Sequence, residues 1–185
     1  MQLRYFLLAL GAIVSLFVSV NAAYSPAVKA DTIFFESVIA EEPTAPTYGP
    51  RALECLALNI YHESRGSNLA DKVAVADVVI NRKKDKRYPN TVCGVVEQAM
   101  LDSNGFPRRN MCQFSWFCDG RSDTPNDQDR WEEAKLLAHK VLIDETYRGI
   151  SEGATHYHAT YVNPRWASSF QQVGRIGEHI FYRWE

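Results

Sequence analysis

The stretch ALECLALNIYHESRG, residues 52–66, places an acidic residue on an apolar helical stripe. Its apolar residues recur at the spacing of one helix face, and Gly66 predicts the end of that helix. Glu63 projects within about 20° of Leu56, at the C-terminal end of the stripe. A carboxyl group there should be partly desolvated, which raises its pKa and suits it to donate a proton to a leaving oxygen. The structural alternative is an ion pair with Arg65 or Arg82.

Three further segments carry helical patterns. A second helix is predicted from about Asn68, a good N-cap, to Lys83, and its apolar content indicates a buried central helix. We expect a short helix within GVVEQAML, residues 94–101, and a longer one within residues 126–145. The segments THYHATYV and HIFYRW near the end predict short strands or extended loops. The fold class expected from these patterns is α+β and mainly α-helical.

The N-terminal residues have the composition of an export segment and a linker. Arg4 precedes an apolar run that ends in VNA, an A-x-A-like cleavage site, so residues 1–22 are predicted to be a signal peptide. An uncleaved signal anchor is the alternative, and only then would the protein contact the membrane. Residues 23–50, rich in Pro, Ala and Glu, predict a flexible linker. The folded domain is then 51–185.

The charge balance and the cysteine content bear on whether the protein binds nucleic acid, forms disulfides or holds a metal ion. With 20 basic and 22 acidic side chains, the chain has no large basic field, so nucleic acid is not an expected partner. The four cysteines predict two disulfides in an oxidising compartment, with all three pairings open. An H-x-H at His156 and His158 could join His179 in a zinc site, but such histidines also serve structural hydrogen bonds. We expect no metal and no other cofactor.

A glycosidase needs a protonated carboxyl group at the leaving oxygen and stabilisation of an oxocarbenium-like centre. Glu63 can be that acid. Each candidate second carboxylate has a structural explanation: Asp71 as a helix cap, Asp77 on a solvent face and Asp119 in a turn. A mechanism with one carboxylate, completed by a hydroxyl of the substrate, therefore becomes attractive. Five aromatic residues could form a sugar groove, of which we expect about two to line the site and the rest to be core: Tyr157, Tyr161, Trp166, Phe170 and Tyr182.

Five blocks in order resemble the cell-wall hydrolase family of the spore-cortex-lytic (SleB) type. The blocks are ALECLALNIYHESRG, KVAVADVVINRKKDKRYPNTVCGVV, CQFSWFCDG, GATHYHATYVNPRWA and RIGEHIFYRW, which span most of residues 52–184. The resemblance implies a lysozyme-like, mainly helical fold similar to lytic transglycosylases. It implies cleavage of the β-1,4 bond between N-acetylmuramic acid and N-acetylglucosamine. From the export segment we expect the protein to be periplasmic or associated with the cell wall, and we expect a monomer. The substrate would be the glycan strands of peptidoglycan.

The resemblance also assigns roles to residues. Glu63 would be the general acid and base, and attack by the muramoyl C6 hydroxyl would leave 1,6-anhydro ends. The substrate-binding candidates are Gln113, Ser115, His156, Tyr157, His158 and Trp166. The chain departs from the family pattern at three positions: Ser64, Ser67 and Lys83. The alternatives are a hydrolytic N-acetylmuramidase, a non-catalytic glycan-binding wall protein and a zinc amidase.

Overall fold

The computed structural model describes residues 48–185, which form an α+β domain. The signal peptide and most of the linker predicted from the sequence lie outside these residues. No helix in the described part of the chain is both long and apolar enough to cross a membrane.

Helices α1 and α2 form where the apolar stripes predict them. Helix α1 spans Pro50–Ser64 and begins with Pro at a position where its missing N–H costs nothing. Helix α2 spans Leu69–Lys84, and the Asn68 side chain accepts a hydrogen bond from the Asp71 backbone N–H at 3.0 Å. Most of α2 is buried, which confirms it as the central helix.

The remaining helices confirm one prediction and correct another. Helix α4, Gln128–Leu142, lies within the predicted segment and is capped by Asp127. The short helix α3 is Val92–Val96, so it begins before the predicted segment and ends inside it. The rest of that segment contains strand β1, Ala99–Leu101, because its backbone pairs antiparallel with β2, Pro107–Cys112.

A three-stranded antiparallel sheet closes the domain, with the order β3-β5-β4. Strands β3, His156–Ala159, and β5, His179–Arg183, confirm the predicted extended segments, whereas β4, Gln171–Ile176, was not predicted. Tyr157 lies opposite Phe181, and His158 lies opposite Ile180. Because side chains alternate along a strand, Tyr157 and Phe181 share the face packed towards α2, and His156 and His158 lie on the other face.

The disulfide pairing that the sequence left open is Cys55–Cys93 and Cys112–Cys118. The first bridge joins α1 to α3 across 38 residues of sequence, a separation for which loop closure contributes about 4 kcal/mol to stability. The second closes a short ring that encloses residues 113–117. The 3₁₀ helix Ser115–Cys118 lies in this ring and ends at its second cysteine.

The prediction that Asp77 lies on a solvent face was wrong. Asp77 is only 1 % exposed, and its carboxylate accepts hydrogen bonds from the Gly149 N–H at 2.9 Å and the Ser151 N–H at 3.1 Å. The Ser151 hydroxyl donates a third, at 2.6 Å. These donors compensate the loss of water around a buried carboxylate. Asp77 therefore fastens the loop before β3 to the central helix.

Candidate active site

Glu63 lies in the last turn of α1, half-buried, with a tyrosine as its hydrogen-bond partner. The hydroxyl of Tyr157, on β3, donates to Glu63 Oε2 at 3.0 Å. Within residues 48–185, Glu63 forms no ion pair within 4.0 Å. Arg65 instead lies over the Tyr61 ring, at 4.9 Å from its centroid. The ion pair considered as a structural alternative is therefore not formed.

The surroundings of Glu63 favour its protonated form. Burial raises the pKa of Glu63 above the usual range of a glutamate. The hydrogen bond from Tyr157 and the charges of His179 and Arg82 lower that pKa again, but they offset only part of the rise. Burial and the neighbouring Glu63 carboxylate raise the pKa of Tyr157 well above its usual value, so the phenol remains a neutral donor. The pair is therefore a carboxyl group of raised pKa held by a fixed hydroxyl.

A cavity of about 180 Å³ opens beside this pair, and we call it the Glu63 cleft. Two of the predicted substrate residues, Gln113 and Ser115, line it together with Phe114. The ring closed by Cys112–Cys118 carries all three of these residues. Of the six substrate-binding candidates, the structure thus brings Gln113, Ser115 and Tyr157 together with Glu63.

Arg82 also lines the Glu63 cleft, a role that sequence reasoning did not assign to it. Arg82 is 3 % exposed, and its Nε donates to the Thr155 carbonyl oxygen at 2.7 Å. With the Gln113 amide turned so that its oxygen faces the guanidinium, that oxygen accepts from both terminal nitrogens, at 3.3 and 3.2 Å. Burial lowers the pKa of Arg82, but an arginine keeps its charge at neutral pH. The cleft therefore contains a fixed positive charge.

A buried pair supports Tyr157 from behind. His179 Nδ1 lies 2.8 Å from Asp71 Oδ1, and the Glu178 N–H donates to Asp71 Oδ2 at 3.1 Å. The His179 ring packs edge-on against Tyr157, with 5.1 Å between ring centroids. Although burial opposes ionisation of Asp71, its hydrogen bonds, led by that with His179, lower its pKa below the usual value. This pair fixes the phenol that contacts Glu63.

The other three candidates, His156, His158 and Trp166, lie on the opposite face of the sheet, outside the Glu63 cleft. His156 stacks on Phe170 with ring centroids 4.3 Å apart, and Trp166 contacts both histidines. Burial and the charges of two arginines lower the pKa of His156 to about 4, so it is neutral at pH 7. A substrate role for this aromatic face stays a prediction.

The zinc arrangement considered from the sequence is not formed. His179 lies opposite Ala159 in the sheet register, so its ring lies on the face away from His156 and His158. Within residues 48–185, the one group of potential ligands close enough to share an ion is Cys55, Cys93 and Glu97. Both cysteines of that group belong to a disulfide.

None of the three aspartates considered as a second carboxylate lines the Glu63 cleft. Asp71 is paired with His179, and Asp77 is bonded to the loop before β3. Asp119 accepts a hydrogen bond from the Arg121 N–H at 2.8 Å in a turn, as predicted, and it lines a different cavity. Among the described residues, Glu63 is the only carboxylate that lines the cleft.

The Cell Wall Hydrolase family matches this chain over residues 66–182. The match begins three residues after Glu63 and so does not include it. The chain is 31 % identical over 140 residues to the spore cortex-lytic enzyme of Bacillus cereus, covering 72 % of this chain and 45 % of that protein. The corresponding enzyme of Halalkalibacterium halodurans is 27 % identical over 136 residues, with coverages of 72 % and 35 %. The chain thus spans less than half the length of these relatives.

Two solved structures are similar to this one. The catalytic domain of the germination-specific lytic transglycosylase SleB from Bacillus anthracis gives a TM-score of 0.54 at 28 % identity, covering 75 % of this chain and 98 % of that one. The catalytic domain of the Bacillus cereus SleB protein gives a TM-score of 0.51 at 27 % identity, with coverages of 75 % and 94 %. The α+β fold expected from the sequence is therefore confirmed as that of a SleB catalytic domain.

Proposed function

This chain belongs to the Cell Wall Hydrolase family, and from that membership we propose that it is an enzyme that cleaves the glycan strands of peptidoglycan. We further propose that it is a lytic transglycosylase with Glu63 as its general acid and base. The observation that carries this proposal is the lone carboxyl group of raised pKa in the Glu63 cleft. The similar domain from Bacillus anthracis belongs to a lytic transglycosylase, which supports the same reaction here.

In the proposed reaction, protonated Glu63 donates its proton to the glycosidic oxygen as the bond from that oxygen to C1 of N-acetylmuramic acid breaks. The charge of Arg82 and the Tyr157 hydroxyl stabilise the carboxylate that remains. Glu63 then takes the proton of the muramoyl C6 hydroxyl as its oxygen attacks C1. The products are a 1,6-anhydro end and a free N-acetylglucosamine hydroxyl, and no water is consumed.

The fixed groups of the cleft suit this sequence of proton transfers. Glu63 must begin protonated and end protonated, so a raised pKa favours both its first and its last state. Gln113 and Ser115, held in the disulfide ring, present polar groups across the cleft for the hydroxyl and amide groups of a sugar. No second carboxylate is needed, because the nucleophile belongs to the substrate.

The masses of the fragments released from purified peptidoglycan test this proposal. We expect the protein to release muropeptides with 1,6-anhydro ends, which weigh one water less than reducing ends. Reducing ends would instead identify a hydrolytic muramidase, with water as the nucleophile. Binding to glycan without release of fragments would identify a glycan-binding wall protein.

Replacing Tyr157 by Phe should move the pH profile of cleavage to higher pH. The Tyr157 hydrogen bond lowers the pKa of Glu63, so its removal lets burial raise that pKa further. A general acid loses activity as pH rises through its pKa, so the falling limb of the kcat profile should shift upward. We also expect kcat on the low-pH plateau to fall by about tenfold, because the acid loses its fixed orientation. An unchanged or downward-shifted limb would contradict this role.

The cellular location follows the same proposal. Peptidoglycan lies outside the cytoplasmic membrane, and the two disulfides of the domain require an oxidising compartment. We propose that the protein is exported and acts as a monomer in the periplasm or at the cell wall. The predicted signal segment would be cleaved or would tether the domain to the membrane.

A further inference from the structure

A second cavity, of about 240 Å³, lies beside the Glu63 cleft, and we call it the Trp116 pocket. The end of α1 forms one wall and the loop from residue 119 to residue 126 forms the other. The residues that matter for its chemistry are Trp116, His62, Arg65, Arg121 and Asp123. The mechanism proposed above uses none of them.

Two stacked aromatic rings line the Trp116 pocket. Trp116 stacks on His62, with ring centroids 4.6 Å apart and an interplanar angle of 17°. The indole N–H donates to the buried Asn59 side chain at 3.3 Å, and His62 Nε2 lies 3.0 Å from the Asp123 carbonyl oxygen. These contacts hold the pocket in shape through the protein's own side chains, which lowers the cost of ordering it around a ligand.

Both signs of charge occur in the pocket without being paired to each other. Among residues 48–185, Arg65, Arg121 and Asp123 take part in no ion pair within 4.0 Å. Burial raises the pKa of Asp123, the charge of His62 opposes that rise, and the charge of Asp119, which also lines the pocket, adds to it. A carboxyl group that is partly desolvated and forms no ion pair within the described residues is suited to receive an ammonium group from a ligand. The two guanidinium groups are suited to receive a carboxylate.

At two places, a residue that lines the pocket is adjacent in sequence to one that lines the Glu63 cleft. His62 in the pocket directly precedes Glu63 in the cleft, and Trp116 in the pocket directly follows Ser115 in the cleft. Adjacent Cα atoms are about 3.8 Å apart, so the two cavities begin within one residue of each other. The linings of the two cavities therefore adjoin at residues 62–63 and 115–116.

We propose that the Trp116 pocket binds the peptide stem of the peptidoglycan strand through its free amino and carboxylate groups. A neutral sugar would use neither charge of the pocket, whereas a zwitterionic peptide uses both. A stem attached to the muramic acid in the Glu63 cleft is the part of the substrate that branches from the glycan. This inference rests on the proposed function. Binding of the stem would make the enzyme selective for glycan strands that carry peptide stems.

Two substrates test the proposal: glycan strands with their stems and strands from which an amidase has removed them. We expect the protein to cleave stem-bearing strands with a kcat/KM about tenfold higher, the effect of one charge-assisted hydrogen bond. Arg121→Ala should remove that preference by lowering kcat/KM on stem-bearing strands alone. Arg175→Ala, an exposed arginine on β4, is the matched control and should keep the preference. Equal rates on both substrates with the parent protein would overturn the inference while leaving glycan cleavage intact.

A titration with the free stem peptide separates this inference from the proposed function. The stem peptide, synthesised with its N-terminal amine acetylated to match the amide in the strand, should bind the parent protein and Glu63→Gln with equal affinity, and should bind Arg121→Ala and Asp123→Asn about tenfold more weakly. If neither strand is cleaved, the proposed function fails, and this titration alone decides the inference. Absence of saturable binding to the parent protein, or equal binding by all four proteins, would overturn it.

Discussion

Glu63→Gln should lower the rate of glycan cleavage by about 10³-fold, within the range contributed by general acid and base catalysis. The amide cannot donate a proton to the leaving oxygen or take one from the C6 hydroxyl. The amide oxygen can still accept the hydrogen bond of Tyr157, so the geometry of the cleft should be preserved. The measurement is kcat on purified glycan strands, with the product ends identified by mass.

A matched substitution on the same helix controls for changes in folding. Glu54 lies on the exposed side of α1, and Glu54→Gln should retain kcat within about twofold. Because Glu63 is desolvated without an ion-pair partner, Glu63→Gln should unfold at the same temperature as the parent or slightly higher. A residual rate near that of the parent would show that another group supplies the proton.

Asp77→Ala should cause the largest loss of stability, about 3 to 5 kcal/mol in the free energy of unfolding. The substitution leaves the Gly149 N–H, the Ser151 N–H and the Ser151 hydroxyl without their acceptor in the interior. It also creates a small void beneath the loop that precedes β3. Denaturant unfolding followed by circular dichroism measures the effect.

Two comparisons identify the cause of that loss. Asp129→Ala removes an exposed aspartate from the first turn of α4 and should cost only a few tenths of a kcal/mol. Ser151→Ala removes one of the three donors and should cost less than Asp77→Ala, because the two backbone N–H groups keep their acceptor. A loss below about 1 kcal/mol for Asp77→Ala would mean that water replaces the carboxylate.

Helices α1, α2 and α4 were predictable from the sequence, and strands β1, β2 and β4 were not. The apolar residues of α1, α2 and α4 recur at the spacing of one helix face, which is visible in the sequence. Asn68 is a favourable N-cap residue and indicates where α2 begins. Strands β2 and β4 have polar, largely exposed sequences, PRRNMC and QQVGRI. They are strands because a neighbouring backbone pairs with them, which is a long-range effect that no local pattern records.

The stripe made Glu63 a candidate acid, and the family resemblance implied its role and those of Gln113, Ser115 and Tyr157. The structure places these four residues around one cleft. The HYH segment was treated as one unit, although alternation along a strand sends His156 and His158 to the face opposite Tyr157. The sequence predicts that side chains alternate between the two faces of the strand. It does not predict which face meets the cleft, because that is set by the packing of β3 and β5 against α2.

The burial of Asp77 was predicted wrongly and that of Arg82 was not predicted, for a common reason. Charged residues on a helix usually face water, and both of these are buried because distant loops satisfy them. Arg82 does follow Val75 and Val78 at the seven- and four-residue spacing of an apolar face, which is a signal that could have revealed its burial.

The ring closed by the Cys112–Cys118 disulfide forms only in a compartment where cysteines are oxidised. Gln113 and Ser115 of the Glu63 cleft, and Trp116 of its neighbour, all belong to that ring. Thiols stay reduced in the cytosol, where such a chain is synthesised, and oxidise after export. Under the export proposed above, the ring would stay open until the chain leaves the cytosol, and Gln113, Ser115 and Trp116 would be fixed in place only outside the membrane.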